Sequence, residues 1–293
     1  MTADEKELLA ERFEASRRHL RAVAYRMLGS LSEAEDAVQE AWLRLSRTDA
    51  SAVENLGGWL TTVVARVCLD MLRSRTSRRE EPLVAHFPDP IVSRDPDPAQ
   101  QALLADSVGL ALLVVLQMLP PAERLAFVLH DLFAMPFEEI APIVDRSPTA
   151  ARQLASRARR RVQGAAVPDV DLDRQREVVD AFFAASHAGD FGALVAVLDP
   201  DVVLRFDRGA RKRGEVRGAA KVAKQSLTFR RAADERFRER RAMVNGAPGV
   251  VLFVDGQPFS VLGFTVAGGK IVEIDILADP ARLARLDLTL LDA

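Results

Sequence analysis

The sequence has almost none of the residues that build covalent or metal-bound frameworks. Its 293 residues include one cysteine, Cys68. A single thiol cannot form an intramolecular disulfide, and it cannot supply a cysteine-based zinc site. Because Cys68 lies in an apolar run, we expect a buried thiol without a redox function. We expect no metal and no cofactor, and the composition fits a reducing, cytoplasmic compartment.

Long hydrophobic runs are also missing. The longest apolar run covers residues 108–119, whereas a membrane-spanning helix needs about 20 apolar residues. The first residues, MTADEKELLAERFEAS, contain no apolar segment of the kind found in signal peptides. We therefore expect no membrane partner.

The chain as a whole lacks an excess of positive charge. Its net charge is -2 and its pI is about 6.2, which excludes a uniformly basic surface for nucleic acid. Residues 146–161 are the exception, because they contain six arginines and no acidic residue. A binding site for a polyanion must therefore be local, and this segment is its first candidate.

The arginine-rich segment is predicted to be the second helix of a helix-turn-helix. Residues 137–144 form a short apolar helical pattern, and Ser147 followed by Pro148 is typical of a helix start. The apolar face of the second helix is predicted to centre on Leu154. Arginine and glutamine read base edges and neutralise phosphates, so DNA binding is favoured over a merely solvated basic surface. The candidate DNA-binding residues are Arg152, Gln153, Ser156, Arg157, Arg159 and Arg160.

Residues 7–75 are also predicted to be helical. Ser32 and Glu35 have the spacing of a capping box, and the apolar residues that follow recur at helical intervals. The glycines at positions 57 and 58 are expected to break the pattern before a second amphipathic run. Residues 80–98 then contain five prolines among acidic residues. This composition predicts an extended linker that lies against a surface.

The chain changes character after residue 168. A long and a short helical pattern come first, over residues 174–189 and 193–198. Segments rich in β-branched residues follow, and turn sequences between the later ones predict hairpins. We therefore expect an α+β domain in which a curved antiparallel sheet wraps a helix. The predicted strands cover residues 202–206, 250–254, 259–266 and 271–277.

Two parts of the chain carry a family resemblance. The segments AEDAVQEAWLRL (34–45) and GGWLTTVVARVCLDMLRSR (57–75) resemble region 2 of sigma factors, and residues 119–162 resemble region 4. They occur in the family order, with a linker between them. The chain therefore resembles an extracytoplasmic-function (group 4) sigma factor of the sigma-70 family. This resemblance implies two all-α domains, a region 2 helical bundle and a region 4 helix-turn-helix.

The resemblance also implies partners and residue roles. The implied partners are core RNA polymerase, through its β′ clamp helices and β flap, and promoter DNA. The candidates for polymerase binding are Asp36, Gln39, Glu40 and Trp42. The candidates for −10 DNA binding are Asn55, Trp59, Arg66, Arg73 and Arg75, although a core position is the alternative for both tryptophans. The six residues of the arginine-rich helix are the candidates for −35 DNA binding.

The tail resembles the SnoaL-like branch of the NTF2-like fold, a cone with a pocket, on the strength of residues 182–207. Sigma factors with such a tail form a subgroup, the mycobacterial SigJ type, which has three short motifs. HFPDP (86–90), DRGAR (207–211) and DPARL (279–283) stand at their places. By resemblance, the tail contacts the linker and regulates the sigma domains in cis. The implied interdomain residues are Phe87, Pro88, Asp89, Pro90, Asp207, Arg211, Asp279, Pro280 and Arg282.

Four segments are thus predicted: region 2 over 1–78, the linker over 79–100, region 4 over 101–165 and the SnoaL-like domain over 170–293. One alternative is a free-standing helix-turn-helix regulator, a class of protein that does not require region 2. Another is an NTF2-like enzyme or ligand sensor with a DNA-binding appendage. A small ligand in the pocket is a candidate partner. His187, Asp207, Asp255 and Asp275 are the polar candidates for catalysis, but no enzyme is predicted because nothing fixes their mutual geometry.

Overall fold

The computed structural model describes residues 3–48, 53–77, 88–94, 110–163, 168–209, 212–232, 236–288 and 291. The chain divides into two compact units, Met1–Pro88 with Leu113–Gly164 and Asp89–Leu112 with Ala165–Ala293. Two of the predicted interdomain residues, Phe87 and Arg211, lie outside the described residues.

Helices build the first unit, as the all-α prediction for the sigma domains requires. Their core contains fully buried leucines such as Leu60 and Leu69. Cys68 is also buried, as predicted, and burial raises the pKa of its thiol. The helices are α1 (Ala3–Leu28), α2 (Leu31–Leu45), α3 (Leu56–Ser77), α4 (Leu110–Met118, of which residues 110–112 belong to the second unit), α5 (Pro121–Phe127, continued by the π-helical turn Val128–Leu132), α6 (Phe137–Val144) and α7 (Pro148–Val162).

The start of α2 differs from the prediction of a capping box. Helix α2 begins at Leu31, so that Ser30 takes the N-cap position and Ser32 lies within the first turn. The carboxylate of Glu35 does not return to the cap. It forms ion pairs with Arg17 and Arg21 of α1, at 3.3 and 2.8 Å. The capping-box prediction was therefore wrong, because tertiary ion pairs take the acidic group that the local motif would use.

The two glycines at positions 57 and 58 do not interrupt a helix. They form the first turn of α3, which begins at Leu56. The Oδ1 atom of Asn55 accepts a hydrogen bond from the backbone N–H of Gly58 at 3.0 Å. This bond satisfies one of the N–H groups that a helix start leaves unpaired. The predicted break is therefore a capped helix start.

A buried arginine holds the turn before α5 in place. Arg124 is 4% exposed, and its guanidinium donates hydrogen bonds to the carbonyl oxygens of Met27 and Gln117, both at 2.7 Å. It also donates to the carbonyl of Leu119 at 3.3 Å and to Oε1 of Gln117 at 2.9 Å. Burial lowers the pKa of Arg124 to about 9, which leaves the group charged at neutral pH. Several carbonyl oxygens of the first unit thus depend on one cation.

The second unit combines helices with one sheet, which confirms the predicted α+β class. The sheet was expected to be antiparallel, but it contains one parallel pair of strands and is therefore mixed. The described strands follow the order β1-β4-β5-β6-β7-β2-β3, in which β2 and β7 are parallel and all other neighbours are antiparallel. The elements are β1 (Val92–Ser93), α8 (Leu172–Ala188), α9 (Phe191–Val197), β2 (Leu198–Asp207), β3 (Arg213–Arg217), α10 (Ala219–Ala232), β4 (Phe237–Val244), β5 (Ala247–Val254), β6 (Gln257–Ala267), β7 (Lys270–Leu277) and α11 (Pro280–Leu283).

One face of this sheet packs against the helices and forms the core. Leu204, Leu252, Leu262 and Ile274 alternate with residues on the other face, as strand geometry requires, and belong to one apolar cluster with Phe182. The predicted strands are present. The elements β3, α10 and β4 were not predicted, because their segments are rich in arginine and lysine and lack a clear apolar period.

Two glycines allow a close approach on the opposite face of the sheet. Gly249 of β5 pairs with Gly263 of β6. A Cβ atom on Gly263 would lie 2.7 Å from Cδ2 of Leu110, and one on Gly249 would lie 2.4 Å from Cγ2 of Val244. Only glycine leaves room for these two side chains. Gly263 therefore leaves room for Leu110, and Gly249 leaves room for Val244.

We predict that Arg124→Met destabilises the first unit by about 3 kcal/mol, because several buried carbonyl groups lose their donor. The matched control is Arg18→Met, which changes an exposed arginine of α1. Both tryptophans, Trp42 and Trp59, lie in the first unit, so their fluorescence during urea unfolding measures this change. Equal unfolding midpoints for the two variants would contradict the role assigned to Arg124.

Candidate functional site

Helices α6 and α7 are joined by a tight turn with specific local chemistry. Helix α6 ends at Asp145, whose φ of 56° is left-handed and stops the helix. Ser147 then caps α7, and its hydroxyl accepts a hydrogen bond from the N–H of Ala150 at 3.2 Å. Pro148 occupies the first helical position, where no N–H is needed. The predicted helix start is thus present, and it fixes the direction in which α7 leaves the turn.

The buried stripe of α7 consists of alanines. Ala151, Ala155 and Ala158 are fully buried, whereas Leu154 is half-buried. The predicted stripe centred on Leu154 was therefore wrong by about one residue. Small side chains let α7 lie close to α5, and the larger leucine lies at the edge of the contact. The prediction placed Leu154 at the centre because leucine is more hydrophobic than alanine. It did not take into account that a close contact between two helices favours small side chains.

Two acidic residues hold arginines of α7. Glu123 of α5 is buried and accepts from Arg157 at 2.8 Å and from Arg161 at 2.6 Å. Asp131, in the π-helical turn, accepts from Arg159 at 2.6 Å. The buried carboxylate of Glu123 requires such partners, since an unpaired charge is costly away from water. These contacts orient one side of α7.

The remaining candidates of α7 face the solvent. The guanidinium of Arg152 lies over the ring of Phe137, 5.2 Å from its centroid. Gln153, Ser156 and Arg160 are exposed. Within the described part of the chain, their side chains make no hydrogen bond or ion pair. These three residues therefore combine unused hydrogen-bonding groups with one unpaired positive charge on an accessible helix surface.

The candidates for −10 binding lie along α3 and just before it. Trp59, Arg66 and Arg73 follow one another at seven-residue intervals, which places them on one side of the helix. Arg66 donates to the carbonyl of Pro142 in α6 at a long 3.5 Å, while Arg73 is exposed. Arg75 pairs with Glu33 of α2. Asn55 is the capping residue of α3 described above.

The candidates for polymerase binding lie on α2. Asp36 and Gln39 are exposed, and Glu40 pairs with Arg44 at 2.9 Å. Trp42 packs instead against Phe13 of α1, with ring centroids 5.0 Å apart. Leu43 was missed by sequence reasoning. It follows Asp36 by seven residues and is 39% exposed, so it extends the accessible acidic face with an apolar group.

The part of the linker that begins at Asp89 belongs to the second unit, and a chain of charges holds it there. The carboxylate of Asp89 accepts hydrogen bonds from Nε and Nη2 of Arg282, at 2.9 and 2.5 Å. Nη1 of Arg282 donates a hydrogen bond to Oδ2 of Asp207 at 2.9 Å. Nε of Arg213 lies 3.0 Å from the same Oδ2 atom. Burial opposes ionisation of Asp207, but the N–H of Gly209 and the two arginines outweigh it and hold its pKa below the usual value. The contact expected for Asp89 is thus present.

Backbone pairing extends this contact along the linker. Asn245 donates its N–H to the carbonyl of Ile91 at 2.8 Å and accepts the N–H of Ile91 on its Oδ1 atom at 3.1 Å. Val92 and Ser93 then form β1 against β4. Asp279 caps α11 through the N–H of Ala281, with Pro280 in the first helical position. Residues 89–93 therefore add a short strand to the edge of the sheet.

The catalytic candidates of the cone occupy separate contacts. Nε2 of His187 lies 2.8 Å from Oε1 of Glu239. Asp275 pairs with Arg205 at 3.2 Å, and burial raises its pKa to about 7. Asp255 is an exposed residue of the turn between β5 and β6. Together with Asp207 in the linker contact, these four side chains do not converge on one point of the described structure.

No helix among the described residues is both long enough and apolar enough to span a membrane.

Comparisons with known proteins agree with this architecture. The model of Sigma-70 region 2 matches residues 12–78, and that of Sigma-70, region 4 matches residues 109–162. The chain is 38% identical over 275 residues to the Mycobacterium tuberculosis protein named "Probable ECF RNA polymerase sigma factor SigI", covering 92% of this chain and 93% of that protein. It is 39% identical over 284 residues to "ECF RNA polymerase sigma factor SigJ" of the same organism, covering 92% and 91%.

The crystal structure of M. tuberculosis SigJ matches with a TM-score of 0.77 at 36% identity, covering 95% of this chain and 99% of that chain. The two helical regions with a fused cone therefore define a sigma-70-type transcription factor. The chain belongs to the extracytoplasmic-function RNA polymerase sigma factors. The alternatives of a free-standing regulator and of an enzyme with a DNA-binding appendage are not favoured, since the relatives match along nearly the whole chain, tail included.

We predict that Arg282→Ala loosens the linker without unfolding the cone. The substitution leaves the carboxylates of Asp89 and Asp207 without their shared cation. Amide hydrogen exchange over residues 89–93 should then become about 10- to 100-fold faster. Arg285→Ala, at an exposed arginine just after α11, is the matched control and should leave the exchange unchanged. Equal protection in both variants would show that β1 pairing alone retains the linker.

Proposed function

We propose that this sigma factor reads the −35 element with the exposed side of α7. The observation that carries the proposal is the set of unpaired side chains of Gln153, Ser156 and Arg160 on one accessible helix. Arginine can donate two hydrogen bonds to guanine, glutamine can pair with adenine, and serine can contact either base or phosphate. Arg152, Arg157 and Arg159 would contribute to DNA binding mainly through their positive charge near the phosphates, since the side chain of each already contacts another residue of the protein.

For the −10 element, we propose the side of α3 that carries Trp59, Arg66 and Arg73. Arg73 is free to meet a phosphate, and the long bond from Arg66 to Pro142 is weak enough to be exchanged for DNA. Asn55 would act by fixing the start of α3. Arg75 would act through its pair with Glu33, which ties α3 to α2.

For core polymerase, we propose the acidic face of α2. Asp36 and Gln39 are exposed, Glu40 is accessible beside Arg44, and Leu43 adds apolar area. Such a face fits a partner that is basic with an apolar centre, and by the family resemblance the partner is the β′ clamp helices. Region 4 would meet the β flap in the same complex. Trp42 supports this surface from beneath by packing on α1.

We further propose that the tail regulates the sigma regions through the linker and has no catalytic role. Asp89 and Arg282 attach residues 89–93 to the cone, and the linker leads directly into region 4. A change in this attachment therefore alters the length of chain that is free between regions 2 and 4. The site of action is the cytoplasm, where polymerase and chromosome are found. The four segments predicted above, 1–78, 79–100, 101–165 and 170–293, are the proposed working parts.

The proposal for α7 predicts that Arg160→Ala lowers initiation about tenfold or more on promoters selected from a fragment pool by the wild-type holoenzyme. Gln153→Ala should relax the base preference at one −35 position. Binding to core polymerase should stay nearly the same, because neither residue lies on the acidic face of α2 and both are assigned to DNA rather than to the β flap. The measurement is run-off transcription with purified core, and Arg18→Ala serves as the control. Unchanged initiation with Arg160→Ala would remove α7 as the DNA-reading helix.

The regulatory proposal predicts that a protein truncated after residue 168 initiates at a different rate from the full chain at equal core occupancy. Asp89→Ala and Arg282→Ala should shift the rate in the same direction as truncation, because each releases the linker from the cone. Arg285→Ala should behave as wild type. If truncation leaves promoter activity unchanged, regulation in cis by the tail is refuted.

A further inference from the structure

The cone encloses a cavity of about 390 Å³ that the sigma function does not use. Its walls come from α8, α10 and the inner face of the sheet. Pockets for small molecules start at roughly this size, about 300 Å³, and are mostly apolar with a few polar groups. The apolar walls include Phe182, Phe183, Leu204, Leu252, Leu262, Ile274 and Ile276.

Aromatic rings line one side of the cavity and reach the solvent there. Phe229, Phe237 and Phe259 contact one another, with ring centroids 5.4 to 6.2 Å apart. Phe229 is 37% exposed and Phe259 is 41% exposed. A cluster of exposed phenylalanines is unfavourable in water unless something covers it. Stacked and edge-on rings of this kind match a flat, unsaturated molecule.

Two serines of low exposure line the cavity wall, and their hydroxyl groups have no protein partner among the described residues. Ser260 is 2% exposed and Ser186 is 8% exposed, and both line the cavity. In the described part of the chain, neither side chain makes a hydrogen bond. A hydroxyl group can donate one hydrogen bond and accept others, so these two groups are available to a polar atom of a molecule in the cavity. The two serines therefore supply hydrogen-bonding groups inside an otherwise apolar space.

The charges on the cavity wall are predominantly positive. Arg208 and Arg230 both line it. Glu239 is the carboxylate among the described lining residues, and it is already engaged by His187 at 2.8 Å. The guanidinium of Arg208 lies over Phe206 at 5.3 Å, and Arg230 forms no ion pair with the described residues. An anionic group would therefore find free hydrogen-bond donors at this cavity. A cationic group would instead meet two arginines and a carboxylate that His187 already engages.

We propose that the cavity is a binding site for a small aromatic carboxylate. The flat apolar part of the ligand lies among the phenylalanines, the carboxylate meets Arg208 and Arg230, and a further polar atom meets Ser186 or Ser260. Guanidinium and carboxylate form charge-assisted hydrogen bonds, which are the strongest that neutral pH offers without a metal. The site is distinct from the linker contact, which lies on the other face of β2.

The test uses three probes with one ring system: 2-naphthoate, neutral 2-naphthalenemethanol and cationic 2-naphthylmethylamine. Calorimetric titration of the full-length protein should give the affinity order anion, neutral, cation. Arg230→Gln should weaken naphthoate about tenfold and leave the neutral probe nearly unchanged. Arg231→Gln, at the neighbouring exposed residue that does not line the cavity, is the matched control.

A second variant separates the cavity from other surfaces. Ser260→Leu fills part of the cavity and should weaken every probe, and its folding is checked by circular dichroism. Arg208→Gln keeps the surface polar and should repeat the effect of Arg230→Gln. Absence of naphthoate binding at millimolar concentration would overturn the proposal. So would equal affinity for all three probes, or binding that both arginine variants leave unchanged.

Discussion

Buried carboxylates determine how the arginines of this molecule are placed. A carboxylate removed from water must be paired, and in each unit one of them recruits two arginines. Glu123 holds Arg157 and Arg161 on one side of α7. Asp207 holds Arg213 and Arg282 beside the linker. These ion pairs also decide which arginines can bind other partners, because an arginine that no buried carboxylate engages remains available at the surface.

Local signals in the sequence predicted much of this arrangement. The Ser147–Pro148 start of α7 depends on neighbouring residues only, and the structure has the expected cap. The strands of the cone with strong β-branched character were predicted for the same reason. The family motifs identified Asp89 and Arg282, although nothing in their spacing requires that they meet. The helix start and the strands are accessible to sequence reasoning because chemistry within a few residues decides them, whereas Asp89 and Arg282 were found through the resemblance alone.

Other features depend on residues that are far apart in the chain. Glu35 has the spacing of a cap, but arginines of α1 take its carboxylate. The contact of Leu110 with Gly263 joins residues that are 153 positions apart in the chain. The alanine stripe of α7 reflects the closeness of α5, which no property of α7 alone reveals. The resemblance implied a pocket in the cone, but not which side chains line it, because its wall combines residues from seven elements.

Strand β2 connects the two sites of the cone. Leu204 faces the cavity, and Asp207, three residues later, faces the linker contact, because successive side chains of a strand point to opposite faces. The end of β7 repeats the pattern: Ile276 and Ala278 line the cavity, and the N–H of Ala278 donates to the carbonyl of Asp207 at 2.7 Å. The cavity and the ion pair that holds the linker therefore share one strand, with the cavity on its inner face and the ion pair on its outer face.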